Sequence, residues 1–127
     1  MASTRNLLST LLLLAASLPA TAVPPPKAKA EIAQLMQALS QSGCRFQRNG
    51  DWYDAAQARV HLQRKYDYLL KKDQVDSAEQ FIERAASKSS MSGRAYRVKC
   101  EGAEQEASVW FSAQLQHLRG RAAAPTR

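Results

Sequence analysis

The spacing of apolar residues predicts four amphipathic helices, because side chains three or four positions apart lie on one helix face. Their apolar stripes are Ile32, Leu35, Met36 and Leu39 (residues 28–42); Ala55, Ala58, Leu62, Tyr66 and Leu69 (54–72); Ala78, Phe81, Ile82 and Ala85 (78–87); and Trp110, Phe111, Leu115 and Leu118 (106–119). Asp54 with Gln57 three residues later forms a capping box, which predicts that the second helix begins there.

Two shorter stretches alternate in polarity and predict β-strands. Residues 44–48 place Cys44, Phe46 and Arg48 on one side, and residues 95–101 form the second strand, which Gly102 ends. Asn49-Gly50 is suited to positive φ, but it leads towards a helix, so we expect a turn there and not a two-residue hairpin. The predicted order is α-β-α-α-β-α.

The two cysteines indicate how these strands pair. Cys44 opens the first strand and Cys100 nearly closes the second. Antiparallel pairing brings the start of one strand opposite the end of the other, within reach of a disulfide, whereas parallel pairing separates the two sulfurs. The fold class is therefore α+β: a short two-stranded antiparallel ribbon, packed by about four helices and closed by one disulfide. A redox-active pair is disfavoured because the C-x-x-C spacing is absent.

The two ends have the composition of processed or extended segments. Residues 1–22 resemble a secretory signal peptide: Arg5 is followed by the apolar stretch 7–18, and small residues allow cleavage near Ala22. We expect residues 23–30 to form a Pro-rich extended spacer, 31–119 a single domain and 120–127 a flexible basic tail. The chain would then be exported, without a transmembrane segment after cleavage.

The net charge of +7 arises mainly from the ends of the chain. Residues 31–118 carry 12 Lys and Arg against 11 Asp and Glu. Nucleic-acid binding receives little support, because no basic stripe with interleaved aromatic residues is present. Outside this region and the predicted signal peptide, the basic residues, which favour anionic envelope surfaces, are Lys27, Lys29, Arg119, Arg121 and Arg127.

The serine-rich segment 87–93 has two interpretations. A nucleophile needs an adjacent base, and neither G-x-S-x-G nor S-x-x-K is present. A phosphate loop leads into a helix, whereas this segment leads into a strand. We therefore favour a polar turn at Gly93, with catalysis by a serine left open.

His61 and Lys65 lie one turn apart on the second predicted helix. They are candidates to bind an anion or partner; alternatively, His61 donates to a backbone carbonyl while Lys65 extends to water. Two histidines and two bridged cysteines give no complete zinc ligand set. We expect no metal and no cofactor.

A set of short sequence pieces recurs in an order and spacing that point to a family. The pieces are Phe46-x-Arg48-Asn49-Gly50, Tyr53, Ala58-x-x-His61-Leu62-x-x-Lys65, Phe81-Ile82 and Ser87-x-Ser89-Ser90-x-Ser92-Gly93-x-x-Tyr96. Together they resemble the small exported YfeK-like family of Gram-negative bacteria, whose proteins carry a domain of unknown function. The resemblance covers about residues 31–118; it implies a periplasmic location and no established activity.

The polar residues of this pattern define a candidate polar patch. Its members are Arg48, Asn49, His61, Lys65, Ser89, Ser90, Ser92 and Tyr96. We predict a non-enzymatic binding or interaction module of the cell envelope, monomeric, with an envelope protein or polymer as partner. Two alternatives are a hydrolase or transferase that uses His61 with a serine of residues 89–92, and a weak anion or polymer binder that uses Arg48, Lys65 and the basic tails.

Overall fold

The computed structural model describes residues 11–15 and 24–124. The elements are α1 (Pro26–Gln41), β1 (Arg45–Arg48), β2 (Asp51–Tyr53), α2 (Ala55–Lys71), α3 (Ala78–Arg84), β3 (Arg97–Cys100), β4 (Ala103–Glu106) and α4 (Ala107–Ala123). Most of the predicted signal peptide, including the cleavage site near Ala22, lies outside the described residues. None of the helices described is both long and apolar enough to cross a membrane.

The fold is α+β, as predicted, with an antiparallel sheet in the order β2-β1-β3-β4. The two predicted strands are its central pair, β1 and β3, and Phe46 lies opposite Val98 in their register. Both side chains are buried under the helices, whereas the neighbouring pair, Arg45 and Lys99, is exposed on the outer face. The sheet therefore has one covered and one solvent-facing side.

Two edge strands extend the predicted ribbon, so the expected strand count of two is wrong. At the first edge, Arg48 pairs with Asp51 across Asn49 and Gly50, which have φ values of 51° and 86°. Positive φ at both central residues matches the twist of paired strands, so Asn49-Gly50 forms the hairpin that we did not expect. The prediction failed because β2 is only three residues long and lacks an alternating apolar pattern.

The second added strand, β4, carries no apolar signal at all. All four of its residues are exposed, and it pairs with β3 through the turn at Glu101 and Gly102, both of which have positive φ. Backbone pairing with β3 places this segment in the sheet, and α4 follows it directly at Ala107. Because an exposed edge strand buries no side chains, its residue pattern could not predict it.

The predicted disulfide closes one end of the central strand pair. Cys44 lies just before β1 and Cys100 ends β3, with a Cα–Cα distance of 4.5 Å. The register, in which Arg45 is opposite Lys99, brings the two cysteines together as antiparallel pairing requires. The prediction of this bridge is confirmed.

The core lies between the covered face of the sheet and the helices. Its largest fully buried side chains are Tyr96, Phe46, Phe81, Phe111, Ile32, Leu35, Leu39, Leu62 and Val98. Each helix contributes the stripe predicted from its spacing, although Ala55 and Leu118 are only half-buried. The capping box at the start of α2 is present in full: Asp54 accepts from Gln57 N, and Gln57 accepts from Asp54 N.

The ends of the domain differ from the sequence prediction. α1 begins at Pro26, inside the segment 23–30 that we expected to be extended, because proline is compatible with the first turn of a helix. α4 continues to Ala123, into the predicted tail. Arg119, which we assigned to the basic ends, pairs with Glu31 of α1 and Glu79 of α3. It therefore joins three helices.

Candidate functional site

The serine-rich segment is a tight loop between α3 and β3. Ser89 N donates to Arg94 O and Gly93 N donates to Ser89 O, each at 2.9 Å. Tyr96 N donates to Ser87 O at the base of the loop. These backbone hydrogen bonds agree with the interpretation of a polar turn at Gly93, whose φ is +72°.

Asn49, at the β1–β2 turn, attaches this loop to the sheet. Its Nδ2 donates to Ser89 Oγ at 3.4 Å, and its Oδ1 accepts from Ser92 Oγ. Ser89 is buried, and its Oγ also accepts from Ser92 N. Asn49, Ser89 and Ser92 of the candidate patch therefore hold one another and fix the position of the loop.

Arg48, His61, Tyr96 and Lys65 form a continuous hydrogen-bonded chain beside this loop. The Arg48 guanidinium lies 3.1 Å from His61 Nδ1, and His61 Nε2 lies 3.0 Å from Tyr96 Oη. Lys65 Nζ donates to Tyr96 Oη at 3.1 Å and to the carbonyl of Lys88 at 2.9 Å. Strand β1, helix α2 and the residue before β3 are thus linked through His61 and the Tyr96 hydroxyl.

Arg48 determines which ring nitrogen of His61 carries the proton. A guanidinium can only donate, so His61 Nδ1 must accept and the neutral ring must carry its proton on Nε2. Nε2–H then donates to Tyr96 Oη. In this arrangement the free lone pair of the imidazole is already occupied by Arg48, so His61 is poorly placed to act as a general base.

Burial and neighbouring positive charges shift the pKa values of both titratable groups on α2. Burial, followed by the charges of Arg48, Lys65 and Arg64, lowers the pKa of His61 to about 4. Burial and the charge of Arg48 lower the pKa of Lys65 to about 8. Burial also raises the pKa of the Tyr96 hydroxyl, which keeps it protonated at neutral pH.

These residues border an open cleft of about 930 Å³, which we call the cationic cleft. It is lined by Arg48, His61, Arg64, Lys65, Tyr68, Leu69, Gln74, Glu83, Arg84, Lys88 and Ser90. Five of these side chains carry positive charge, and Glu83 is the one acidic residue in the described lining. The Tyr68 side chain is largely exposed there.

The structure brings the candidate patch together, in two groups. Arg48, His61, Lys65 and Ser90 line the cationic cleft itself. Asn49, Ser89 and Ser92 support the loop behind it, and Tyr96 is buried beneath, where it accepts from His61 and Lys65.

Seven side chains of the cleft lining were not in the candidate patch, among them Arg64, Tyr68, Arg84 and Lys88. Arg64 follows His61, and Tyr68 follows Lys65, at the i+3 spacing of α2, a signal that is readable in the sequence. Arg84 and Lys88 come from the end of α3 and the loop after it. Their approach depends on how α3 packs, which no local pattern reports.

The hydrogen bonds of His61 and of the serines do not form a nucleophile–base pair. Within residues 24–124, His61 bonds to Arg48 and Tyr96, while Ser89 and Ser92 bond to Asn49. The same part of the chain contains no group of three or more His, Cys, Asp and Glu side chains that could hold a metal ion. The arrangement offers several hydrogen-bond donors and positive charges, which are the features of an anion receptor.

The fold and the site define a small, disulfide-bonded α+β protein with a cationic cleft. Residues 26–119 match the model of DUF5329, described as a family of unknown function, and the chain belongs to that family. It is 37% identical over 81 residues to "Uncharacterized protein YfeK" of Salmonella typhimurium, a match that spans 63% of this chain and 66% of the relative. The resemblance inferred from the sequence pieces is therefore confirmed. No solved structure matches.

Proposed function

We propose that this protein is a non-enzymatic binding module of the periplasm whose cationic cleft takes an anionic ligand. The observation that carries the proposal is the charge of the cleft lining. Five cationic side chains, from β1, α2, α3 and the loop after α3, line the cleft together with a single carboxylate, Glu83. Charged hydrogen bonds from Arg and Lys to an anion are stronger than neutral ones and give the ligand a defined orientation.

The ion pairs found among the described residues support this proposal, because none of them uses a cationic side chain of the cleft. Arg97 pairs with Glu104, and Arg119 pairs with Glu31 and Glu79. The cations of the cleft are thus held close together without such a partner. Their mutual repulsion is one cause of the lowered pKa values of His61 and Lys65. A bound anion would relieve that repulsion.

Binding is favoured over hydrolysis by the environment of His61. A serine nucleophile requires a base within hydrogen-bonding distance, whereas Arg48 and Tyr96 occupy the two ring nitrogens. Ser90 lines the cleft, whereas Ser89 and Ser92 bond to Asn49 and hold the loop in place. The alternative of a polymer binder that uses the basic tails loses one of its cations, because Arg119 pairs with Glu31 and Glu79.

The periplasmic part of the proposal rests on the signal-like residues 1–22 and on the disulfide. Disulfides persist in oxidising compartments such as the bacterial periplasm and are rare in the cytosol. The Cys44–Cys100 bridge therefore fits an exported protein.

Calorimetric titration with inorganic tripolyphosphate at low ionic strength tests the cleft. We expect Arg64→Gln/Lys88→Gln to weaken binding by about tenfold or more, because two charged donors are lost. The matched control is Arg45→Gln/Lys99→Gln, which removes the same charge from the outer face of the sheet. It should change the affinity by less than about twofold, apart from a general salt-dependent effect.

Two results would contradict the proposal. One is equal weakening in the two double variants, which would mean that the anion responds to net charge and not to the cleft. The other is an absence of tripolyphosphate binding to the wild-type protein at low ionic strength.

A further inference from the structure

A second cavity of about 290 Å³ adjoins the cationic cleft. It is lined by Phe46, Arg48, Tyr53, Gln57, Ala58, Val60, His61 and Arg64. Arg48, His61 and Arg64 also line the cationic cleft, so the two spaces share one wall. We call the second space the apolar cavity, because of the side chains described next.

Apolar side chains dominate the part of this cavity that the cleft does not share. Phe46 and Ala58 are buried, and Val60, which is 52% exposed, lies at the rim of the cavity. The Tyr53 ring lies 5.3 Å from the Arg48 guanidinium carbon and holds it by a cation–π contact. Arg48 is therefore fixed between Tyr53 on the apolar side and His61 on the cationic side.

The two spaces follow one another along α2. The apolar cavity uses residues 57–64 of this helix, and the cationic cleft uses residues 61–69. With a rise of 1.5 Å per residue, the twelve steps from Gln57 to Leu69 span roughly 18 Å. The groove along α2 thus changes from apolar near its N-terminal half to positively charged near its C-terminal half.

From this polarity we infer that the ligand is an amphiphilic anion, which places an acidic group in the cationic cleft and an apolar group in the apolar cavity. The inference rests on the proposed function and adds the class of ligand to it. An inorganic anion would fill the charged half alone and leave Val60 and the apolar cavity in water. Each methylene that the cavity removes from water raises the affinity about fourfold. The gain in affinity from an apolar substituent therefore measures how far that group is buried in the apolar cavity.

The test compares inorganic phosphate, n-hexyl phosphate and n-hexanol by NMR titration of the oxidised protein. We expect hexyl phosphate to bind about tenfold more tightly than inorganic phosphate, and hexanol to bind more weakly than hexyl phosphate. Val60→Ser should reduce the hexyl advantage by about threefold or more while inorganic phosphate binds as before.

Val109→Ser provides the matched control. Val109 is 54% exposed on α4, close to the exposure of Val60, and lies outside both spaces. This variant should keep the full difference between hexyl phosphate and inorganic phosphate. Because both valines are half-exposed, neither substitution should prevent folding, and the NMR spectrum checks this directly.

The outcomes separate this inference from the proposed function. In one outcome, tripolyphosphate binds through Arg64 and Lys88, but hexyl phosphate binds no more tightly than inorganic phosphate. This result would contradict the inference of an amphiphilic ligand and leave the anion-binding proposal standing. An equal effect of Val60→Ser and Val109→Ser would overturn it as well. Equal binding of hexanol and hexyl phosphate would contradict both proposals.

Such an anion can be a soluble molecule or a lipid, and a further measurement distinguishes the two sources. Sedimentation with phosphatidylglycerol vesicles that is weakened by Val60→Ser and not by Val109→Ser would assign the lipid. Binding of hexyl phosphate with the same dependence on Val60, but without vesicle sedimentation, would assign a soluble amphiphile.

Discussion

His61 owes its neutral state to its surroundings. The ring is half-buried, and Arg48 donates to Nδ1 from 3.1 Å, so a second proton on the ring would place two cations in contact. The pKa of His61 is accordingly lowered to about 4, and the imidazole acts as a rigid link between Arg48 and Tyr96 at neutral pH. This link keeps the guanidinium at the shared wall of the cleft and the apolar cavity.

We predict that Arg48→Gln raises the pKa of His61 above about 4, because the charge of Arg48 is the largest cause of the shift after burial. NMR observation of the imidazole during an acid titration measures the value. Arg45→Gln, three residues earlier on the same strand, is the control and should leave the pKa of His61 unchanged. A pKa unaffected by Arg48→Gln would show that the contact seen here does not persist in solution.

Lys65 gives a second prediction, for the pH dependence of stability. Its pKa is about 8 in the folded chain and 10.5 ordinarily, so the unfolded chain binds more protons between these values. The free energy of unfolding should therefore rise with pH over this interval, and the window from about pH 8 to about pH 9.5 avoids the tyrosines. Urea unfolding in that window measures the rise.

Lys65→Met should flatten this dependence, since it keeps the aliphatic stem and removes the titrating amine. Lys71→Met is the control, because Lys71 is exposed on the same helix. An equally steep rise in the wild type and in Lys65→Met would contradict the assignment to Lys65.

At the scale of elements, the β1–β2 hairpin has two tasks. Its turn reverses the chain through positive φ at Asn49 and Gly50, and the Asn49 side chain also holds the serine loop. The loop contributes both Lys88 and Ser90 to the cleft. A turn on one side of the site thus positions residues that are about forty positions away in sequence.

We predict that Asn49→Gly releases the serine loop without disrupting the hairpin. Glycine accepts positive φ, but it lacks the side-chain amide that bonds to Ser89 and Ser92. Hydrogen exchange of the Ser92 and Gly93 amides should become faster, while that of the β1–β3 amides stays as in the wild type. Unchanged exchange in Asn49→Gly would mean that the backbone bonds alone fix the loop.

Sequence patterns predicted the elements that bury side chains and missed those that do not. The stripe of α1 and the alternation of β1 follow from burial, and the positions of the cysteines at one end of the central strand pair predicted its antiparallel pairing. β4 has four exposed residues and joins the sheet through its backbone alone, so no periodicity marks it. The spacing of residues along α2 likewise indicated the part of the site on that helix. The approach of Arg84 and Lys88 to the cleft depends on how α3 packs, which the sequence pattern does not report.

At the scale of the whole molecule, the disulfide and the candidate site lie at opposite ends of the central strand pair. Cys44 precedes β1 and Cys100 ends β3, whereas Arg48 ends β1 and Tyr96 precedes β3. The bridge therefore stabilises the fold at a distance from the groups that would contact a ligand. Arg119 adds a second link between distant parts of the chain, from α4 to α1 and α3.

We predict that Cys44→Ser/Cys100→Ser lowers the free energy of unfolding by roughly 4 kcal/mol, because the bridge closes a loop of 56 residues in sequence separation. Urea unfolding of the oxidised wild type and the double variant measures the difference. Where the variant remains folded, its tripolyphosphate affinity should equal that of the wild type. A selective loss of affinity in a folded variant would show that the bridge shapes the cleft.

The edge strand β4 has a consequence for the behaviour of the chain at high concentration. Its unpaired backbone groups are a template onto which a strand of another molecule could add. β4 is only four residues long, and Glu104 pairs with Arg97, while the charge of Glu106 opposes the approach of an identical edge. A short edge that carries negative charge should therefore resist edge-to-edge aggregation of this protein.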